Sequence, residues 1–220
     1  MTDSEARGRI GTRLHEYGLT LRPEQLATAE SYIGLLTKWN DTVNLTSLPL
    51  RPPTDEAIDR LLVEPFLAAQ SIEPPRELLL DVGSGSGSPA IPLKIARPTL
   101  RLLMVESKAR KSAFLREAIR ELDLGDAEVV TDRLEQLALE PRFKKAASWI
   151  SIRAVRADLE LWHSLSALLK PGGQVLWFRS AAANESGDQS FPAPFELQAI
   201  RPLIAAQRSE LAILRLAERE

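Results

Sequence analysis

The feature that most constrains this chain is a glycine-rich turn that directly follows a short apolar run. Residues 78–88 read LLLDVGSGSGS. Glycines let a backbone turn sharply and approach a ligand with no Cβ in the way, and the start of a following helix offers unpaired N–H groups. A flexible linker is the alternative, but linkers seldom lie between a buried apolar run and a helix. We therefore interpret the segment as a ligand-binding turn at the end of a strand.

Apolar runs alternate with amphipathic helical segments from residue 77 onward. The predicted strands are 78–82, 102–105, 127–130, 147–150 and 175–178, and the predicted helices between them are 89–97, 109–122 and 157–169. Regular alternation of strands and helices predicts a mostly parallel sheet with helices on both faces, the α/β Rossmann-like arrangement. Two later apolar runs, 195–200 and 211–216, are predicted to form a strand pair at the sheet edge.

The first 72 residues are predicted to form a small helical part that precedes the sheet. Apolar residues spaced three or four apart predict helices over 9–17, 23–39 and 55–70, and the second of these begins with a proline. Two consecutive prolines, Pro74 and Pro75, indicate a boundary before the first strand. We therefore divide the chain into a helical N-terminal part, 1–72, and a catalytic domain, 73–220. A chain of 220 residues accommodates one active site.

The composition excludes several kinds of site. The chain has no cysteine, which rules out disulfides, thiolate metal sites and a cysteine nucleophile. Its two histidines, His15 and His163, stand alone within helical segments, so we expect no metal. No apolar run approaches the roughly 20 residues that cross a bilayer, and we expect a cytoplasmic protein with no membrane partner. With a formal charge of −2, any nucleic-acid partner must meet a local basic patch.

The residues around the glycines favour one nucleotide-type cofactor over another. Dinucleotide-binding turns follow the pattern G-x-G-x-x-G, and the third glycine of that pattern is replaced here by Ser88. Asp81 comes just before Gly83, Gly85 and Gly87, in an order that resembles motif I of class I methyltransferases. We therefore favour S-adenosylmethionine over NAD, and interpret these five residues as cofactor-binding. The expected fold is that of a class I S-adenosylmethionine-dependent methyltransferase.

Further polar residues follow the later strands. Glu106 ends the second strand, where a carboxylate can accept both ribose hydroxyls, although a surface acid paired with Lys108 or Arg110 is the alternative. Residues 132–135 follow the third strand, at the level expected for adenine. Arg153 follows the fourth strand beside the cofactor crevice, and a plain surface or capping arginine fits its position equally well. All of these residues are predicted to meet at one edge of the sheet.

A second polar cluster closes the long helix of the N-terminal part. Residues 38–46 read KWNDTVNLT. Asparagine is a common residue at helix ends, and tryptophan is a common core residue. Chemistry alone therefore favours Asn40 or Asn44 as a cap and Trp39 as a packing residue.

Three segments together resemble the RsmG family, which is also called GidB. They are 38–46, then 81–92 with the glycine turn, and then 106–115. The resemblance spans most of residues 25–180. It implies a bacterial methyltransferase that places a methyl group on N7 of a guanine in 16S ribosomal RNA. It also implies a helical N-terminal part ahead of a class I methyltransferase domain.

Carried over by position, the resemblance implies residues for both halves of the site. The implied cofactor contacts are Gly83, Ser88, Glu106, Leu134, Glu135 and Arg153. On the substrate side we expect Asn40 and Asn44, with Arg153 and Arg179 on RNA phosphate or a guanine edge, beside a basic patch of Lys108, Arg110 and Lys111. Guanine N7 carries a lone pair and no proton, so no catalytic base is required. The implied partner is ribosomal RNA or the small ribosomal subunit, and we expect a monomer.

The expected substrate side departs from the family pattern more than the cofactor side does. Leu61 stands where the family has histidine, Glu64-Pro65 where it has Asp-Ser, Ala90 where it has glycine, Ser148 where it has an acid, Ile152 where it has serine and Arg179 where it has lysine. These changes keep a degenerate, non-catalytic module that binds S-adenosylmethionine open as an alternative. A NAD-linked oxidoreductase and a methyltransferase of small molecules are the others.

Overall fold

A seven-stranded sheet organises the described part of the chain. The computed structural model describes residues 3–72, 77–181 and 191–217. The strands are β1 (Leu78–Val82), β2 (Arg101–Val105), β3 (Ala127–Val130), β4 (Ala147–Arg153), β5 (Leu169–Ser180), β6 (Phe195–Ile204) and β7 (Ser209–Leu216), in the order β3-β2-β1-β4-β5-β7-β6. Strands β1 to β5 pair with one another in parallel, which confirms the α/β prediction. Their carboxyl ends share one edge of the sheet, which we call the carboxyl edge.

The last two strands form the predicted pair, in an order that the sequence did not indicate. β6 and β7 are antiparallel to each other, and β7 is also antiparallel to β5. β7 therefore lies inside the sheet, and β6, which comes earlier in the chain, is the edge strand.

The N-terminal part is helical, as predicted, with one irregular segment. Its helices are α1 (Asp3–Glu16), α2 (Pro23–Val43), α3 (Asp55–Ile58) and α4 (Glu64–Ala69). Between α3 and α4 the helix widens into a π-helical turn, Asp59–Val63, which we call the π turn. π-helical turns are rare and frequently lie at functional sites. The predicted boundary at 73–76 lies outside the described residues.

Four helices connect the strands of the sheet: α5 (Ala90–Ala96), α6 (Ala109–Glu121), α7 (Leu134–Leu137) and α8 (Leu159–Leu168). Because side chains alternate along a strand, Leu79 and Leu80 of β1 belong to different cores. The core that contains Leu79 is shared with α1 to α6, and we call this side the front face. The core that contains Leu80 is shared with α7 and α8, and we call this side the back face. The N-terminal helices thus pack directly on the sheet.

No helix within the described ranges combines the length and the apolar character needed to cross a membrane.

Candidate active site

The glycine turn has the backbone shape that its composition predicts. Gly83, Gly85 and Gly87 have φ values of +67°, +48° and +87°. Side chains rarely tolerate this left-handed region, whereas glycine adopts it at no steric cost. A Cβ at Gly87 would also lie 2.5 Å from the Ile91 side chain at the start of α5. The turn therefore needs glycine both for its backbone conformation and for its close approach to the next helix.

Glu106 braces this turn from the end of β2. Its two carboxylate oxygens accept hydrogen bonds from the N–H of Gly85 at 3.0 Å and from the N–H of Lys108 at 2.8 Å. Glu106 is only 6% exposed, so it is not the surface acid that was the alternative. Each carboxylate oxygen can accept more than one hydrogen bond, so the same group is able to serve a ribose hydroxyl.

Asp81 lies under the turn and is almost completely buried, at 1% exposed. The Ser151 hydroxyl donates to its Oδ1 at 2.5 Å, whereas its Oδ2 has no hydrogen-bond partner among the described residues. Burial raises the pKa of Asp81 to about 6, although Ser151 and the charge of Arg153 act in the opposite direction. An unpartnered carboxylate oxygen at this position fits a ligand that donates a hydrogen bond.

A cavity of about 360 Å³ opens at the carboxyl edge on the back face. It is lined by Val82, Gly83, Val105, Ser107, Asp132, Arg133, Leu134, Glu135, Val155, Arg156, Asp158 and Leu161. The structure therefore brings together Gly83, Leu134 and Glu135, three of the predicted cofactor residues. Other cavities are larger: one of about 430 Å³ lies in the groove between α1 and α2, one of about 500 Å³ at the opposite edge of the sheet, and one of about 410 Å³ beside α8. None of these three is lined by a predicted site residue.

Ser88 and Arg153 lie on the other side of the glycine turn, against the π turn. The Ser88 hydroxyl donates to the carbonyl of Leu61 at 3.1 Å. The guanidinium of Arg153 donates to the carbonyl of Arg60 and reaches the Ser88 hydroxyl at 3.4 Å. Neither residue lines the 360 Å³ cavity. The two predicted contacts are next to each other, but on the front face.

Two further contacts hold the Arg153 side chain. Its Nη2 lies 2.7 Å from Oε2 of Glu64, and its guanidinium stacks over the Phe178 ring at 4.4 Å from the ring centre. Burial lowers the pKa of Arg153, partly offset by the negative charge of Glu64. Arg153 is thus neither a free surface arginine nor a helix cap.

Tyr32 of α2 also supports the turn, and the sequence interpretation missed it. Its side chain is fully buried, and its hydroxyl donates to the carbonyl of Ser86 at 2.9 Å. Burial raises the pKa of Tyr32 far above its usual range. A tyrosine on an apolar helix face is equally typical of a core residue, so the sequence carried no signal for this contact.

The predicted substrate residues Asn40 and Asn44 form a helix cap. The side chain of Asn40 accepts from the N–H groups of residues 45 and 46 at 2.7 and 2.8 Å, and donates to the Thr46 carbonyl at 3.0 Å. Asn44 has a φ of +53° and donates its N–H to the Asn40 carbonyl. Trp39 packs against the Phe114 ring of α6. All of these contacts lie within the helix cap or pack against it. They support the interpretation of Asn40 and Asn44 as capping residues.

Arg179, the other predicted RNA contact, lies on the opposite face of the sheet from Arg153. It forms an ion pair with Glu210 at 2.7 Å and lies against the rings of Trp177 and Phe191. Trp177 packs with the back-face core, whereas Phe178, which Arg153 covers, belongs to the front-face core. The two arginines therefore do not form one adjacent pair.

One substituted position is not where we expected it. Ser148 was placed on the substrate side, but it lies near the amino end of β4, at the edge of the sheet opposite the glycine turn. Burial tends to raise the pKa of nearby Glu77, but hydrogen bonds from Ser148 and Lys170 lower it below its usual value. The expectation failed because Ser148 is five residues ahead of Arg153 on an extended strand. Leu61 and Ala90 are buried in the π turn and at the start of α5.

Comparison with known proteins adds an independent result. The family model described as GidB, rRNA small subunit methyltransferase G, matches residues 25–201. A curated relative from Xanthomonas axonopodis pv. citri, named ribosomal RNA small subunit methyltransferase G, is 36% identical over 174 residues, 78% of this chain and 76% of the relative. A protein of the same name from Leuconostoc mesenteroides is 31% identical over 174 residues, covering 78% and 72% of the two chains.

Solved structures agree at the level of the fold. A S-adenosylmethionine-dependent methyltransferase from Aquifex aeolicus aligns with a TM-score of 0.55 at 14% identity, over 83% of this chain and 97% of its own. A methyltransferase named yhhF from Escherichia coli aligns with a TM-score of 0.52 at 17% identity, over 65% and 78%. These likenesses confirm the class I methyltransferase fold.

Proposed function

The chain belongs to the GidB family, rRNA small subunit methyltransferase G, and we propose that it transfers a methyl group from S-adenosylmethionine to N7 of a guanine in 16S ribosomal RNA. The observation that carries this proposal is the glycine turn at the carboxyl edge, braced by Glu106 and open to the 360 Å³ cavity. Ligands of parallel α/β sheets bind at this edge. No feature of the described site favours a NAD-linked oxidoreductase or a non-catalytic module over this function.

The residues present fit S-adenosylmethionine. The cavity has the volume of a small-molecule site, and its lining pairs apolar Leu134 and Val105 with the carboxylates of Asp132 and Glu135. We place the adenosine here, with Glu106 on the ribose. The unpartnered Oδ2 of Asp81 is suited to an ammonium group, and Arg153 to a carboxylate, which are the two charged groups of the methionine part.

Catalysis then requires orientation more than proton transfer. When bound, the cofactor would supply a methyl group on a sulfonium; the lone pair of guanine N7 would form the new bond to that methyl group as its bond to sulfur breaks, leaving S-adenosylhomocysteine. The chain's contribution is to hold the two reacting atoms in line and to exclude water. The glycine turn, fixed by Glu106 and Tyr32, sets one side of that geometry. No residue is assigned as a general base.

The RNA side of the proposal rests on charges around the cavity mouth. Arg133 and Arg156 line the cavity, and the Arg156 side chain is 91% exposed. Lys108 and Arg110 are exposed at the start of α6, immediately after Glu106. Exposed cations at the mouth of a site can contact RNA phosphates without reading sequence. We propose these four residues as phosphate contacts, together with the predicted Arg179, whereas Arg153 is assigned to the cofactor carboxylate.

The domain division, the cellular location and the oligomeric state are also proposals. We propose a helical part, 1–72, and a methyltransferase domain, 73–220, that act as one unit, because α1 and α2 share the front-face core with the sheet. We further propose a cytoplasmic location, since the family is named for ribosomal RNA, and the predicted monomer without a metal stays a proposal.

The test uses the purified chain and small ribosomal subunits from a strain that lacks its own enzyme for this methylation. Calorimetry should detect binding of S-adenosylmethionine to the chain. A radiolabelled methyl group should be transferred to 16S ribosomal RNA, and nucleoside analysis should identify the product as 7-methylguanosine. Free 16S RNA, tested in parallel, decides whether the assembled particle is required. Cofactor binding with no transfer to either RNA substrate would contradict the proposal and favour the non-catalytic module.

A further inference from the structure

Two buried carboxylates flank the π turn and hold different parts of the molecule. Asp59 begins the turn and Glu64 follows it, and each is 2% exposed. The Glu64 N–H donates to the Asp59 carbonyl, which is the i→i+5 bond of a π-helical turn. Asp59 binds Arg13 of α1 through both carboxylate oxygens, at 2.7 and 2.6 Å, and also accepts from Gln207. Glu64 instead binds Arg153 at the carboxyl end of β4.

We propose that Glu64 is a positioning residue for Arg153, and that the guanidinium it holds receives the carboxylate of the cofactor's methionine part. This inference rests on the proposed function, and it assigns Glu64 a role in cofactor affinity that its burial alone does not imply. Among the described residues, the hydrogen bond to the Glu64 side chain comes from Arg153, so Glu64 acts through the arginine.

The geometry around Arg153 supports this role. A guanidinium has five N–H donors in a rigid plane, so fixing some of them fixes the direction of the rest. Glu64, the Arg60 carbonyl and the Ser88 hydroxyl take donors on the π-turn side, and the Phe178 ring packs against the face of the plane. The side chain is still 19% exposed. The donors left over therefore have a defined direction beside the glycine turn.

Charge distinguishes Glu64 from the other groups that hold the arginine. The Arg60 carbonyl, the Ser88 hydroxyl and the Phe178 ring are neutral, so Glu64 supplies the only charged hydrogen bond to Arg153 in the described structure. Charge-assisted hydrogen bonds are roughly twice as strong as neutral ones. Burial lowers the pKa of Arg153, and the positive charge of nearby Arg60 lowers it further. The negative charge of Glu64 acts in the opposite direction and raises it. Without the Glu64 carboxylate, Arg153 would lose the strongest of the hydrogen bonds that hold its guanidinium in place.

The experiment compares two ligands that differ only in the amino-acid part. S-Adenosylhomocysteine carries the carboxylate that Arg153 would bind, and 5′-methylthioadenosine lacks the whole amino-acid group. Their dissociation constants are measured by calorimetry for the wild-type chain, Glu64→Gln, Glu64→Asp and Asp59→Asn. Asp59→Asn is the matched control, because Asp59 is equally buried, lies at the other end of the π turn and pairs with a different arginine.

For Glu64→Gln we expect the dissociation constant of S-adenosylhomocysteine to rise about tenfold, the loss expected when a charge-assisted bond becomes neutral. That of 5′-methylthioadenosine should stay unchanged. Glu64→Asp, which keeps the charge, should recover part of the difference, and it replaces the glutamine variant if that one does not fold. Asp59→Asn should lower Tm and leave the ratio of the two constants as in the wild type.

Two results would overturn the inference. A ratio of the two constants that stays as in the wild type in Glu64→Gln, whether both ligands weaken equally or neither weakens, would exclude the positioning role. An equal change of the ratio in Asp59→Asn would reduce Glu64 to a structural role. Failure of the wild-type chain to bind either ligand would instead refute the proposed function, so the two failures are distinguishable.

Discussion

The carboxyl edge of the sheet is closely packed on the front face and open on the back face. On the front face, Arg153, Glu64 and Ser88 are packed against the π turn, and Tyr32 reaches the glycine turn from α2. On the back face the edge is open, and its arginines stand at the rim of a cavity. The difference indicates two roles: the front face fixes the shape of the glycine turn and orients Arg153, and the back face leaves the space into which the rest of a ligand fits.

Removing the Arg153 side chain should have the largest effect on the free energy of unfolding, because it breaks the ion pair with Glu64 on the front face. Arg153→Ala leaves Glu64 buried without its counter-charge, which costs about 3–5 kcal/mol of unfolding free energy in buried pairs. Denaturant unfolding measures this loss. The double variant Arg153→Met with Glu64→Met should recover much of it, because both charges are then absent. If the double variant is as unstable as the single one, packing rather than charge supports the front face.

The pH dependence of stability sharpens the role of Asp81, which lies between the two faces. Its pKa is raised from 3.8 to about 6 in the folded chain. From about pH 4 to pH 6 the unfolded chain loses this proton while the folded chain keeps it, so stability falls as pH rises. Above pH 6 the loss is complete, at about 2–3 kcal/mol. Asp81→Asn should remove this part of the slope in chemical unfolding followed from pH 4 to pH 8, and an unchanged slope would contradict the assignment.

The Asn40 cap tests whether the support extends to the end of α2. Asn40→Ala deletes three hydrogen bonds to the turn at 44–46 and should cost about 1–2 kcal/mol of unfolding free energy. Asn40→Asp keeps the acceptor bonds and should cost less. Methyl transfer at saturating RNA should stay unchanged in the aspartate variant. A fall in its kcat without a fall in Tm would restore the substrate-facing role that the family resemblance implies.

The smallest effect on stability is expected at the back-face rim. Arg156→Ala removes a side chain that is 91% exposed, so Tm should not change measurably. RNA affinity should nevertheless fall, and the slope of its logarithm against the logarithm of salt concentration should decrease by about one. Arg142→Ala is the control, because Arg142 is also exposed but lines the cavity at the opposite edge. Equal salt slopes for the two variants would count against an RNA contact at the rim.

Most of the fold was predictable because it depends on local patterns. The apolar runs at 78–82 and 127–130 coincide with β1 and β3, and the glycines adopt the positive φ values that their spacing suggests. The face of the sheet on which each side chain lies was harder to predict. Arg153 and Arg179 both follow apolar strands, and their opposite faces depend on the pleat of β4 and β5 within the sheet.

The supporting residues could not be predicted at all. Tyr32, Ser151 and Glu64 act through contacts with residues 54, 70 and 89 positions away in the chain. The π turn that precedes Glu64 interrupts a segment whose periodicity predicted one regular helix. Long-range contacts of this kind leave no periodic mark in the sequence, whereas the glycine turn does.

The position of β7 also sets an order for the chain during synthesis. β6 leaves the ribosome before β7, yet its partner in the sheet is β7, which stands between it and β5. Until β7 has been made, β5 keeps an open edge whose backbone groups can pair with the wrong chain. The β6–β7 hairpin must therefore dock through its second strand, and β5 gains its second neighbour only after β7 has been made.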